Sequence, residues 1–311
     1  MKIENIEDVR VLVETARGGT LTAAARVLDV TPAAASAMLK RLEAQTGARL
    51  FERSTRAMRL TAQGQTLLDY ASRALELLEE GEAQVSSHTG ALVGTVRLAA
   101  SSDLSRSVLL PWLDEFLAAH PGVQLALSVS DRVQDVLRDA VDVALRYGDP
   151  TDSALVARQL YVARRMVCAA PAYLLRRGTP QTPQDLVDHN CLTLHIGGKR
   201  EVRWRFERPE GKSTQVVEVR IDGDRGVDDG AIGHDWALAG AGIVYKSGID
   251  IAANLRSGAL VTLLPEWLGQ RYALNAILPS NRFVPARVRS LVDFLAAKFA
   301  AFDVPAPKMT P

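Results

Sequence analysis

Apolar positions in the first sixty residues recur at helical spacing. Ile6, Val9, Leu12, Val13 and Ala16 share a face at 100° per residue and stop at Gly18-Gly19, which predicts a first helix. Thr20-Leu21-Thr22 opens a second, with Thr20 or Thr22 as its cap and Leu21, Ala24, Ala25 and Leu28 turned inward. Thr31-Pro32 opens a third, which runs to about Gln45 and is stopped by Gly47. Threonine suits the cap, and proline suits the first helical position, where its missing N–H costs nothing. Only Asp29-Val30 separates the second helix from the third, so residues 21–40 read as a helix-turn-helix.

Resolved by angle, the third helix turns Ala35, Leu39 and Leu42 toward a core. Ala33, Ala37, Lys40 and Ala44 fall on the opposite face, with Ser36 and Arg41 on the flanks. Small side chains let a helix approach a groove closely, and Lys40 and Arg41 offer contacts to phosphate or base edges. Downstream, Leu50 to Thr61 has apolar anchors at both ends and a basic, polar centre from Arg53 to Arg56. That is the pattern of a short hairpin, or wing, able to lay arginines along a backbone or into a minor groove. The candidate contacts to double-stranded DNA are Thr22, Thr31, Pro32, Ala33, Ala34, Ser36, Ala37, Lys40, Arg41, Arg53 and Arg56.

From Thr61 to about Val85 there is no proline, and apolar residues at 67, 68, 71, 74, 75 and 78 form one narrow stripe on a long helix. Such a stripe suits packing on its own domain or pairing with a second copy. Ser86 to Gly90 reads as a hinge. The pattern then alternates: strand Val93–Ala100, helix Leu104–His120, strand Val123–Val129, helix Val133–Ala140, strand Val141–Arg146. A second set follows, with strands near 163–169, 191–196, 215–221 and 243–245 and helices from Pro171 and from Asp229 to Gly240. A strand over 271–278 and a helix from Ala286 to Phe302 close the chain. Repeated βαβ units predict a parallel sheet flanked by helices.

In such sheets ligands sit beyond the carboxyl ends of strands, where helix N-termini offer unpaired N–H groups. Those positions are Ser101, Ser102, Ser128, Ser130 and Arg146 in the first set, and His195 and Asp228 in the second. Hydroxyls, an arginine and a helix start suit a small anion such as a carboxylate. Asp228 and Asp229 would repel one unless neutralised.

Composition narrows the function classes. The chain has 311 residues, 47% hydrophobic and 23% charged, enough for two cored domains. Net charge is only +1, yet residues 40–60 hold six basic side chains against two acidic ones, and residues 61–90 hold one against five. The two stretches therefore meet different neighbours. No apolar run reaches the ~18–20 residues of a membrane span, and the acidic start, Met1 to Asp8, has no secretory core. Cys168 and Cys191 are too few for a disulfide framework, so a reducing cytoplasm is expected. Gly240-Ala241-Gly242 lacks the third glycine of a dinucleotide fingerprint. His189 and His195, even with Cys191, lack metal-ligand spacing. No catalytic residues, metal or cofactor are expected.

The run from Leu21 to Gly64 resembles the winged helix-turn-helix of LysR-type transcriptional regulators. It carries Ala24-Ala25, Leu28, Val30-Thr31, Ser36, Leu42-Glu43, Gly47, Leu50-Phe51, Arg53, Leu60-Thr61 and Gly64 at the family's positions, with Asp29 where a turn glycine is usual. Asp142 to Gly148 and Gly240 to Ile243 resemble local marks of that family's effector-binding domain. The resemblance implies an all-α winged helix-turn-helix domain over 1–60 and a linker helix with hinge over 61–90, through which members dimerise. It implies a two-lobed α/β domain over 91–311, of the type 2 periplasmic-binding-protein fold. Lobe I would take about 91–162 and 266–303, and lobe II about 163–265. The function implied is a homodimeric or homotetrameric regulator of transcription that answers a small molecule, which the strand-end residues make an anion and the cysteine count places in the cytoplasm. The competing reading is a small-molecule-binding protein or enzyme built on the α/β domain, without DNA.

Overall fold

The computed structural model describes residues 3–53, 58–86, 92–131, 141–148, 155–196, 198–211, 213–279 and 284–306. It divides into two units, Met1–Gly94 and Thr95–Pro311.

In the first unit α1 (Ile6–Gly18) is capped by Asn5 and stopped by Gly19 in the left-handed region. Of the two candidate caps for α2 (Leu21–Val27), Thr20 is the one used, its hydroxyl accepting the Ala23 N–H at 3.1 Å. Thr31 accepts the Ala34 N–H at 3.1 Å to start α3 (Pro32–Thr46), with Pro32 in the first turn and Gly47 at the end. Asp29 turns the chain between α2 and α3 at φ 52°, a conformation that Asp tolerates better than most residues. Leu12, Ala25, Ala35, Leu39 and Leu42 build the core, joined by Leu50 and Phe51. The wing strands β1 (Phe51–Arg53) and β2 (Met58–Leu60) pair antiparallel, Phe51 opposite Leu60. Ile6, expected to face inward, is 41% exposed.

The long helix α4 (Ala62–Ser86) changes the reading of its stripe. Ala71 and Leu75 are buried in the same core, with Leu67 and Leu68 packed against it. Three short helices leave an apolar groove along α1, and the first half of α4 fills it. Leu78 and Tyr70 remain half exposed.

The second unit opens with β3 (Gly94–Ala100) and a helical run interrupted near its start. That run is α5 (Ser102–Leu104), a π-turn over Ser105–Leu109, and α6 (Leu110–Ala119). Pro111, which has no N–H to give the preceding turn, enforces the irregularity. Then come β4 (Val123–Val129), β5 (Val143–Tyr147), the fifteen-residue β6 (Leu155–Ala169) and α7 (Pro171–Arg177). Beyond them lie β7 (Thr193–Ile196), β8 (Lys199–Arg200), β9 (Arg203–Glu210), β10 (Ser213–Arg220), β11 (Gly226–Val227) and α8 (Gly230–Leu238). The chain closes with β12 (Val244–Ser247), α9 (Gly248–Ser257), β13 (Val261–Thr262), β14 (Leu268–Gly269), β15 (Arg271–Pro279) and α10 (Ala286–Ala300).

The main sheet has order β12-β6-β15-β5-β3-β4, with β13 added to β6. It is mixed, which corrects the all-parallel expectation. β3 and β5 are parallel, but β15 runs antiparallel to both β5 and β6. β6 and β15 are the two strands that pass from one lobe to the other, so the lobes share a continuous sheet and their facing surfaces form a cleft beside it. The second lobe has its own core around Trp204, Phe206 and Tyr245. The helix expected over 133–140 lies outside the described residues.

Candidate functional site

The outward face of α3 carries exposed Ala33, Ala37, Lys40 and Ala44, with Ala34 and Ser36 half-buried beside them. Thr22, Thr31 and Pro32 are exposed at the helix starts. Arg41 is different. Its Nε donates to Asp8 Oδ2 at 2.6 Å and its Nη2 donates to Oδ1. The Asp8 side chain is wholly buried, and this hydrogen bond and charge raise the guanidinium pKa. Arg41 thus ties α3 to α1, because a buried carboxylate left alone is costly, while 49% of its own side chain stays exposed. Arg53 ends β1, and Arg56 lies outside the described residues.

In the second unit a cleft of about 400 Å³ opens between the lobes, and Ser101, Arg146, His195 and Asp228 line it. Ser102, Ser128 and Ser130 do not. Ser102 is buried, Ser128 is exposed on β4, and the Ser130 carbonyl accepts from Arg146 Nη1 at 2.7 Å. The helix starts assigned to an anion are occupied by the chain itself. Asp131 accepts the Ser102 N–H at 2.7 Å and the Gly230 N–H across the cleft. Asp229 accepts the next two N–H groups of α8, so the acidic loop caps its own helix.

Residues that the sequence reading passed over complete the cleft, and buried His234 braces it from behind. Arg165 forks onto Glu201 at 2.5 and 2.8 Å. Lys246 pairs with Asp103 and donates to the Gly230 carbonyl at 2.8 Å. His234 Nδ1 meets Asp103 at 2.8 Å, and its Nε2 meets Asn254 at 3.1 Å. Burial works against the Asp103 charge, but Lys246 and His234 outweigh it and hold the pKa below its usual value. Burial lowers the Arg146 pKa against the pull of Asp131. The rule that found Arg146 at the end of β5 also reaches Tyr147 one residue on, and Lys246 and Ser247 at the end of β12. Asp250 was hidden because α9 was not foreseen.

At the cleft floor the Tyr147 hydroxyl donates to Asp250 Oδ1 at 2.8 Å, and the Tyr147 and Tyr272 rings meet edge to face at 5.0 Å. Burial, then the Asp103 charge, push the Asp250 pKa up to about 7 against Lys246, Tyr147 and His234. A carboxyl whose folded pKa exceeds its unfolded one favours the folded state when protonated. That stability is lost as pH rises from about 4 through 7. In urea unfolding, Asp250→Asn should therefore flatten the decline between pH 5 and pH 8 and add roughly 2–4 kcal/mol at the upper end. An identical profile in the variant would show that Asp250 does not titrate there.

Two family models cover nearly the whole chain. The bacterial regulatory helix-turn-helix of the lysR family matches residues 6–65, and the LysR substrate binding domain matches residues 89–300. The chain belongs to the LysR family of transcriptional regulators. It is 31% identical over 309 residues to the probable HTH-type transcriptional regulator LtrA of Klebsiella pneumoniae, covering 97% of each chain. It is 30% identical to the HTH-type transcriptional regulator DmlR of Escherichia coli, covering 95% of this chain and 94% of that one. Among solved structures, CrgA from Neisseria meningitidis, a LysR-type regulator, aligns at TM-score 0.60 and 27% identity over 96% of this chain and 99% of its own. As a LysR-family protein the chain is a sequence-specific DNA-binding regulator whose α/β domain confers control by a small molecule. The reading without DNA is not favoured. Among the described residues no helix is long and apolar enough to cross a membrane.

Proposed function

We propose that this regulator reads DNA through the outward face of α3, with Lys40 as the cation at its centre. Its effector is a small molecule in the interlobe cleft, carboxylate toward Arg146 and Ser101. The protein works in the cytoplasm as a homo-oligomer paired through the outer part of α4, and the cleft binds without turnover. The observation that carries the reading is the asymmetry of α3. Its inner face is locked into the core, so the exposed set of small side chains around Lys40, with Arg41 half exposed at its flank, is what remains to enter a groove.

With so few hydrogen-bonding groups on that face, discrimination leans on thymine-methyl contact and DNA shape besides Lys40. Effector binding changes the DNA-bound state only by favouring one arrangement of the lobes over another. Lys40→Ala should weaken binding to the operator by about 1–3 kcal/mol and relax preference at one base position, as read by fluorescence anisotropy on single-base variants. A uniform loss across all sequences would make Lys40 a phosphate contact only.

A further inference from the structure

We propose that the floor of the cleft is a subsite for an ammonium group, so that the effector is an amine and, with its carboxylate at Arg146, an amino acid. The inference rests on the reading that the effector occupies this cleft.

Charge is the first support. Among the described lining residues the carboxyls of Asp103, Asp131, Glu201, Asp228 and Asp250 face only three cationic side chains, Arg146, Arg165 and Lys246. Arg165 is forked onto Glu201 and Lys246 onto Asp103, while Arg146 gives one N–H to Ser130. Within this described set carboxyls outnumber cations, which favours a ligand that brings a positive group along with its carboxylate.

The floor adds two independent observations. Asp250 is buried, and its hydrogen bond comes from the neutral Tyr147 hydroxyl; among the described residues no ion pair reaches it. Ser247, 4% exposed and lining the same cavity, makes no hydrogen bond of good geometry through its Oγ, which lies beside the Tyr147 and Tyr272 hydroxyls. A buried carboxyl without a cation, beside a poorly satisfied hydroxyl, is what an ammonium suits, since it brings charge and three N–H groups. The rings of Tyr147 and Tyr272 beside them supply the π surface that strengthens a cation's binding. The groups facing Asp250 are Asp103 from α5, Lys246 from β12, His234 from α8, Tyr147 from β5 and Tyr272 from β15. Asp103 and Lys246 form their own ion pair, which leaves Asp250 to the ligand.

Isothermal titration of the full-length protein with matched pairs tests this: L-phenylalanine against L-3-phenyllactate, L-leucine against L-2-hydroxy-4-methylpentanoate, and 4-aminobutanoate against 4-hydroxybutanoate. Each pair keeps the carboxylate and exchanges the ammonium for a hydroxyl. At least one amino member should bind roughly 10–150-fold more tightly than its hydroxy partner, the range of a charge-assisted hydrogen bond. Because Asp250 must ionise to receive it, affinity should rise about tenfold from pH 6 to pH 8, with proton release below pH 7. Asp250→Asn should abolish both the preference and the proton release. Ser247→Ala should weaken binding while keeping the release. Amino members that bind no better than hydroxy members, or not at all at millimolar concentration, overturn the ammonium subsite. Hydroxy acids that bind equally well in wild type and in Arg146→Ala overturn the cleft reading beneath it.

Discussion

Aspartate at Leu75 unfolds the N-terminal unit, whereas aspartate at Leu78 leaves it folded and breaks self-association. The two leucines lie on one stripe of α4 and have opposite environments. Leu75 is 8% exposed and packed into the helix-turn-helix core with Ala71, while Leu78 is 50% exposed. Replacing Leu75 with aspartate removes a buried aliphatic side chain and strands a carboxylate there, a loss of about 3–5 kcal/mol. That is comparable to the whole stability of a domain this size, roughly 5–15 kcal/mol. The Leu78 change touches a surface position and moves stability by about 0.5 kcal/mol or less. If the outer part of α4 pairs with a second copy, its loss weakens binding to two half-sites far more than to one. Circular dichroism melts and sedimentation equilibrium separate the cases. A folded, monomeric Leu75→Asp would return the pairing stripe to Leu75, and a Leu78→Asp that sediments as wild type would remove the outer face of α4 from assembly.

Gly64→Ala should be nearly as damaging although it replaces a helical glycine. In an exposed helix that change is normally stabilising by about 1 kcal/mol. Here a Cβ would lie 2.0 Å from the Leu50 carbonyl oxygen and 2.8 Å from its carbon, both backbone atoms. The same carbonyl accepts the Thr61 N–H at 3.0 Å, and the Thr61 hydroxyl accepts the Gly64 N–H at 2.9 Å while donating to Arg49 at 2.7 Å. Relieving the clash means opening the junction that seats the wing against α4. A destabilisation of about 2–3 kcal/mol, or roughly 10–20 °C in Tm, is expected. Gly81→Ala is the control on the same helix, because among the described residues its Cβ meets nothing within 4 Å, and the change should raise Tm slightly. Equal effects at the two positions would show that the close approach at Leu50 carries no weight.

The helix-turn-helix was legible because its signals are local. Thr31 and Pro32 start a helix, Gly47 stops one, Asp29 takes the left-handed turn, and Ala35, Leu39 and Leu42 repeat at core spacing. In the α/β unit, legibility fell where the signal was short. In β9 exposed Arg203 and Arg205 alternate with buried Trp204 and Phe206, but the alternation lasts only four residues before Glu207-Arg208-Pro209-Glu210 ends it. The stripe on α4 was visible, yet its partner depended on the groove that α1 offers after folding. The strand-end rule found Ser101, Arg146, His195 and Asp228 in the cleft. It could not give the sign of the site, because that depends on distant residues such as Asp103, Asp131 and Asp250 being brought together by lobe packing.

That the exposed face of α3 reads a particular DNA sequence is tested most directly by footprinting the DNA upstream of the chain's own gene, with wild type beside Lys40→Ala. The expected result is a bounded protected segment for the wild type that Lys40→Ala loses or blurs at one base position. Protection that is equal in both proteins, or none above that of unrelated DNA, would contradict it.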